Sequence, residues 1–190
     1  MARLLTLAAL LLALPASAQD AVLIEDVPTY SAGMGRADGP FTLLSLRDGA
    51  VVVAPDAAAR ADSASAAWDL GLRGTEVILN GGASGPGGVT GALVALPFEA
   101  VADLPATLAA DGEGECPRGA ARVVCHGSGN GWYVYESNGV QPIPDRTLVL
   151  RRSDGSAVKV RFLAYRLGEA LPSGVRPRYV TLEFVPLDAE

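Results

Sequence analysis

The sequence predicts an all-β protein: a single antiparallel β domain built of hairpins, with one or two short helices. Three observations predict it. Apolar and polar residues alternate with period two in several short runs, Asp-Gly and other glycine-rich turns separate those runs, and the 190-residue chain carries 22 glycines and 13 prolines. Alternation lets one face of a strand meet a core, and glycine accepts the positive φ that tight hairpin turns require.

Residues 1–18 combine Arg3, an apolar run from Leu4 to Leu14 and the small-residue stretch Pro15-Ala16-Ser17-Ala18. This reads as a secretory signal peptide cut after Ala18, which places the mature chain in a periplasm or outside the cell. The run is shorter than the roughly 20 apolar residues that span a bilayer, and no transmembrane segment is expected elsewhere. No cysteine follows Ala18 to carry a lipid. Residues 1–18 hold one positive charge and no acid, so the net charge moves from −6 to −7 without them. An acidic chain without a basic cluster is not expected to bind nucleic acid, where phosphate neutralisation dominates affinity. The remaining length suits one domain.

Residues 19–40 read as an extended N-terminal segment and residues 41–190 as the β domain. In the domain, residues 41–46 and 50–54 flank Asp48-Gly49 and form a first hairpin. Residues 56–67, rich in alanine, fit a short helix or a loop. Trp68, Leu70 and Leu72 alternate with Asp69, Gly71 and Arg73; after Gly74-Thr75, residues 76–80 alternate again to complete a second hairpin. Residues 147–152 and 157–165 flank Ser153-Asp154-Gly155-Ser156 as a third, with Val158, Val160, Phe162 and Ala164 on one face and Lys159 and Arg161 on the other. Residues 179–185 form a last strand with Val180, Leu182 and Phe184 inward. The best helix lies at 97–108, opened by Pro97 and stopped by Pro105.

Cys116 and Cys125 close a short loop in a chain read as exported, which predicts a disulfide. A loop of about ten residues stabilises by roughly 2.5–3 kcal/mol in the chain-entropy account. One Cys pair and one His fall short of a four-ligand zinc site, so no protein metal site is expected.

The block Trp68-Asp69-Leu70-Gly71-Leu72-Arg73-Gly74-Thr75, followed by Ile78-Leu79-Asn80-Gly81-Gly82 and Ser84-Gly85-Pro86-Gly87-Gly88, resembles the central part of HmuY-like proteins. So do Arg146-Thr147-Leu148-Val149-Leu150-Arg151, Asp154-Gly155, residues 159–165 and the closing Arg178-Tyr179-Val180-Thr181-Leu182-Glu183-Phe184. The resemblance frames nearly all of residues 40–187. It implies an all-β fold that binds haem or a related porphyrin in bacterial haem acquisition, with an outer-membrane haem receptor as partner. It also implies two axial side chains, a His pair or a Met pair, in loops that correspond here to residues 83–144.

Axial haem ligands offer a lone pair at a fixed position, chiefly from His, Met, Cys or Tyr. That interval holds His126, Tyr133 and Tyr135 as candidates, no Met, and the two paired cysteines. His126 follows Cys125 and sits among Gly127, Gly129 and Gly131, so the crosslink steadies its backbone. The sequence departs from bis-His and bis-Met patterns, since Met34 lies outside the interval. Trp132, flanked by glycine, is a pocket candidate, whereas Trp68 reads as core. The second reading is a structural or protein-interaction β domain of the same fold that does not bind haem.

No catalytic residues are expected. Ser84 departs from the nucleophile elbow because Pro86 replaces its final glycine, and the run from Gly81 to Gly91 lacks the Gly-Lys-Ser/Thr of a phosphate loop. Asp111, Glu113 and Glu115 in a glycine-rich stretch read as solvated charge.

Overall fold

The computed structural model describes residues 20–29, 39–53, 64–169 and 176–187. Among them eleven strands form three antiparallel sheets. The strands are β1 (Val22–Thr29), β2 (Thr42–Leu44), β3 (Val51–Val53), β4 (Leu70–Arg73), β5 (Glu76–Leu79), β6 (Thr90–Val94), β7 (Tyr133–Glu136), β8 (Gly139–Pro142), β9 (Thr147–Arg151), β10 (Ala157–Leu167) and β11 (Arg178–Leu187). A five-stranded sheet runs β1-β11-β10-β9-β6, a four-stranded sheet runs β3-β2-β4-β5, and β7-β8 is a separate hairpin. The all-β class read from the sequence holds.

The three hairpins form where turn chemistry places them. Gly49, Gly74 and Gly155 all take positive φ in their turns. Asp48 and Asp154 each accept a backbone N–H two residues on, from Ala50 and Ser156, which closes the turn locally. The two larger sheets then face each other. Leu44, Leu70, Leu72 and Leu79 from one meet Leu148, Leu150, Val158, Val160, Leu182 and Phe184 from the other in one buried core. A fully buried leucine of this kind contributes about 1.5–3 kcal/mol. Trp68 is buried with Leu43 and Ile78 in a separate cluster, on the opposite side of its sheet from Leu70 and Leu72.

Four findings go beyond or against the sequence reading. Within the segment read as extended, residues 22–29 are a full strand of the main sheet: β1 pairs with β11 from Val22 opposite Phe184 to Thr29 opposite Arg178. Residues 90–94, to which the sequence reading gave no strand, form β6 against β9. Gly91 is required there, because a Cβ would stand 2.6 Å from Leu150 and 2.8 Å from the Val149 carbonyl oxygen. The helix expected at 97–108 is reduced to one 3-10 turn, Phe98–Ala100. Phe98 and Val101 are both buried, and Lys159 donates to both of their carbonyls, so tertiary contacts take the groups a longer helix would use. Last, Ala164 is exposed, not inward with Phe162, because β10 carries a bulge between the two. The segment 56–67 lies mostly outside the described residues, and residues 64–67 form turns and bends.

Candidate functional site

The bulge in β10 sets up the site. One extra residue between Phe162 and Ala164 shifts the alternation, so Tyr165 pairs with buried Val180 and packs against the core. Two residues on, Leu167 pairs with Arg178 at the end of the same face. These side chains, the β4–β5 turn and the β7–β8 hairpin enclose a groove of about 750 Å³. That volume lies within the range of small-molecule sites, about 300–1,000 Å³. Its walls include Thr75, His126, Tyr133, Tyr135, Tyr165 and Arg178.

Each wall has a local cause. The Cys116–Cys125 disulfide, with Cα atoms 5.4 Å apart, pins the chain just before His126. Gly131 lets the returning strand pass close, since a Cβ there would stand 2.3 Å from the Cys125 carbonyl oxygen. His126 is exposed, and its Nε2 lies 3.4 Å from the Thr75 hydroxyl. Thr75 also donates to the Tyr133 hydroxyl at 3.3 Å. Both contacts are long for hydrogen bonds, so little is lost when either group turns to a ligand. Period two along β7 puts Tyr133 and Tyr135 on one side, with Tyr133 buried and Tyr135 71% exposed.

The electrostatics are asymmetric. Glu76, the one carboxylate among the described lining residues, is held by Arg73 at 2.7 Å. Arg166 pairs with Asp26 at 2.6 Å and lies over the Tyr179 ring. The hydrogen bond from Arg166 draws the Asp26 carboxyl below its ordinary pKa. Asp26 itself takes φ +51° in the β1 bulge, a conformation that Asp tolerates better than most residues. Burial pushes the Tyr165 phenol up, while Arg178 pulls it down less strongly. Tyr165 is therefore a neutral hydroxyl beside a guanidinium.

The chain is similar to HmuY-like proteins. Solved structures that match include an assigned HmuY-like haem-binding protein from Bacteroides vulgatus, at 15% identity and TM-score 0.46 over 93% of this chain and 97% of the other. An assigned lipoprotein from Bacteroides fragilis matches at 15% identity and TM-score 0.47, over 92% and 95%. The apo HmuY analogue of Tannerella forsythia matches at 15% identity and TM-score 0.40, over 90% and 100%. No family profile matches the chain, and no curated protein does. Likeness this distant carries no function across.

Of the residues singled out from sequence, His126, Tyr133 and Tyr135 come together in the groove. Trp132 does not line it. Its indole is 1% exposed, stacks on Phe162 at 4.4 Å and donates to the Thr75 carbonyl at 3.0 Å. It is a core residue that fixes the β4–β5 turn from behind, because burial satisfies both its ring and its N–H. Cys116 and Cys125 are bonded as expected, and Met34 lies outside the described residues. Thr75, Tyr165 and Arg178 went unrecognised, although the alternation of β10 read without its bulge was the signal that misled.

Asp111 is a correction of another kind. It is fully buried, not solvated: its carboxylate accepts from the backbone N–H groups of Leu79 and Val123 and from the Ser84 hydroxyl. Ser84 also accepts from Arg122, so its hydroxyl ties Arg122 to the buried Asp111.

Proposed function

We propose that this protein binds haem or a related porphyrin in the groove, as an exported carrier without catalytic activity that serves haem acquisition. The observation that supports this most is that the chain's sole histidine opens onto an aromatic groove of macrocycle size. An exposed imidazole on a disulfide-anchored backbone fits the role of one axial donor, and the aromatic walls suit a flat apolar ring. Tyr135, at the mouth, is the accessible second donor; Tyr133 is buried and already touches Thr75. When bound, the iron would supply Lewis acidity toward these donors, while the protein binds, orients and shields the ring. Transfer to an outer-membrane haem receptor belongs to the same reading, by the sequence resemblance.

The test is titration of ferric haem into the purified protein, followed at the Soret band. A shifted, saturable band is expected, with His126→Ala weakening affinity about tenfold or more and altering the band position. A band unchanged by that substitution removes His126 from the iron. No shift at micromolar haem rejects haem binding and leaves the protein-interaction reading, with exposed Tyr135 and Leu167 as the surface to probe.

A further inference from the structure

Arg178 is an odd residue for its place. On β11 the positions that share its side, Val180, Leu182 and Phe184, are all buried and apolar. Alternation therefore carries a guanidinium onto the inner side of the sheet, at the point where the core gives way to the groove. Across the ladder its partner is Leu167, and the Tyr165 ring stands one inward position away on β10. Tyr165 is there only because the bulge turned it inward. Glu76, the one carboxylate among the described lining residues, is paired with Arg73 at 2.7 Å, which offsets its repulsion of an anionic guest.

We infer that Arg178 and the Tyr165 hydroxyl together recognise a carboxylate arm of the groove's ligand, and so select acid-bearing planar molecules over their neutral esters. A guanidinium forks onto both oxygens of a carboxylate, and charge-assisted hydrogen bonds of this kind are about twice as strong as neutral ones. A phenol beside it adds a third donor. Because burial keeps Tyr165 protonated, that hydroxyl remains a donor at neutral pH. The inference rests on the porphyrin reading but not on the iron, since the carboxylate and the metal would be held by different residues.

Metal-free protoporphyrin IX and its dimethyl ester make the test, with binding read by quenching of tryptophan fluorescence. Wild type should bind the diacid about tenfold or more tighter than the diester, a factor typical of a hydrogen bond to a charged group. Arg178→Gln should bring that ratio close to one, Arg178→Lys should keep part of it, and Tyr165→Phe should lower it by about threefold. Equal binding of diacid and diester by wild type overturns the inference, and so does a full ratio in folded Arg178→Gln. Should Arg178→Gln fail to fold, Tyr165→Phe with an unchanged ratio overturns it instead. Discrimination without any His126-dependent Soret shift sinks haem ligation alone, and a Soret shift without discrimination sinks the carboxylate anchor alone. No porphyrin binding of either kind rejects both.

Discussion

Asp111 and His126 belong to one long loop segment, yet their polar atoms live under opposite conditions. Asp111 is 1% exposed and its carboxylate oxygens accept from Leu79, Val123 and Ser84 at 2.7–2.9 Å. Asn80, close by, is fully buried; its amide donates to the Ser65 and Trp68 carbonyls and accepts from Gly87. His126 is exposed and has one long side-chain contact, at 3.4 Å, to Thr75. The difference teaches how to read a polar side chain. One whose capacity is filled by backbone groups holds the chain together, and one that is weakly engaged at a concave surface is free to meet a ligand.

Breaking the saturated side should hurt stability most. Asp111→Ala strands two buried backbone donors and the Ser84 hydroxyl, and should cost about 3 kcal/mol or more in denaturant unfolding. For a domain this size that is a fall in Tm of roughly 6–12 °C. His126→Ala should stay within about 0.5 kcal/mol of wild type in the same measurement. Similar losses at both sites would erase the contrast.

The disulfide lies between the two regions and tests whether they are linked. Replacing both Cys116 and Cys125 by Ser should cost roughly 2.5–3 kcal/mol. If the crosslink also positions His126, haem affinity should fall in that variant even where it remains fully folded. Unchanged affinity would mean that the crosslink serves stability alone.

Asp69 gives the smallest effect and the sharpest sign. It is buried, its carboxylate accepts from the Leu46 N–H, and loss of hydration raises its pKa. The folded protein therefore holds this proton more tightly than the unfolded chain does. Its contribution is full below the unfolded value near 3.9 and is lost as pH rises through the elevated folded value. In Asp69→Asn the amide oxygen still accepts from Leu46 but does not titrate. The stability of Asp69→Asn relative to wild type should thus improve as pH rises from about 4, followed by unfolding midpoints across a pH series. A difference independent of pH would show that Asp69 stays neutral or equally charged in both states.

Much of the fold was legible because turn residues and period-two alternation are local signals. Asp48-Gly49, Gly74-Thr75 and Asp154-Gly155 named their hairpins unaided. What stayed hidden depends on partners distant in sequence. β1 was missed because its mate is β11, and β6 because Gly91 reads as a bend until Leu150 is seen against it. The helix at 97–108 failed because Lys159 claims its carbonyls. Asp111 looked solvated because its partners are mostly backbone atoms, which no side-chain pattern reveals. At the site, the donor types His126, Tyr133 and Tyr135 could be chosen by chemistry, but Tyr165 and Arg178 needed the bulge and the β10–β11 register.

That bulge implies that the face shown by the far half of β10 is governed by how many residues the strand contains as much as by which ones. Deleting Leu163 alone would iron out the bulge and leave Tyr165 opposite Val180, whereas deleting Leu163 and Ala164 together would put Tyr165 opposite Thr181 on the outer side and Arg166 opposite Val180 on the inner one. Val158, Val160 and Phe162 precede that point and would keep their places in the core. The loss of two codons is therefore enough to re-line the cavity while the sandwich itself is spared.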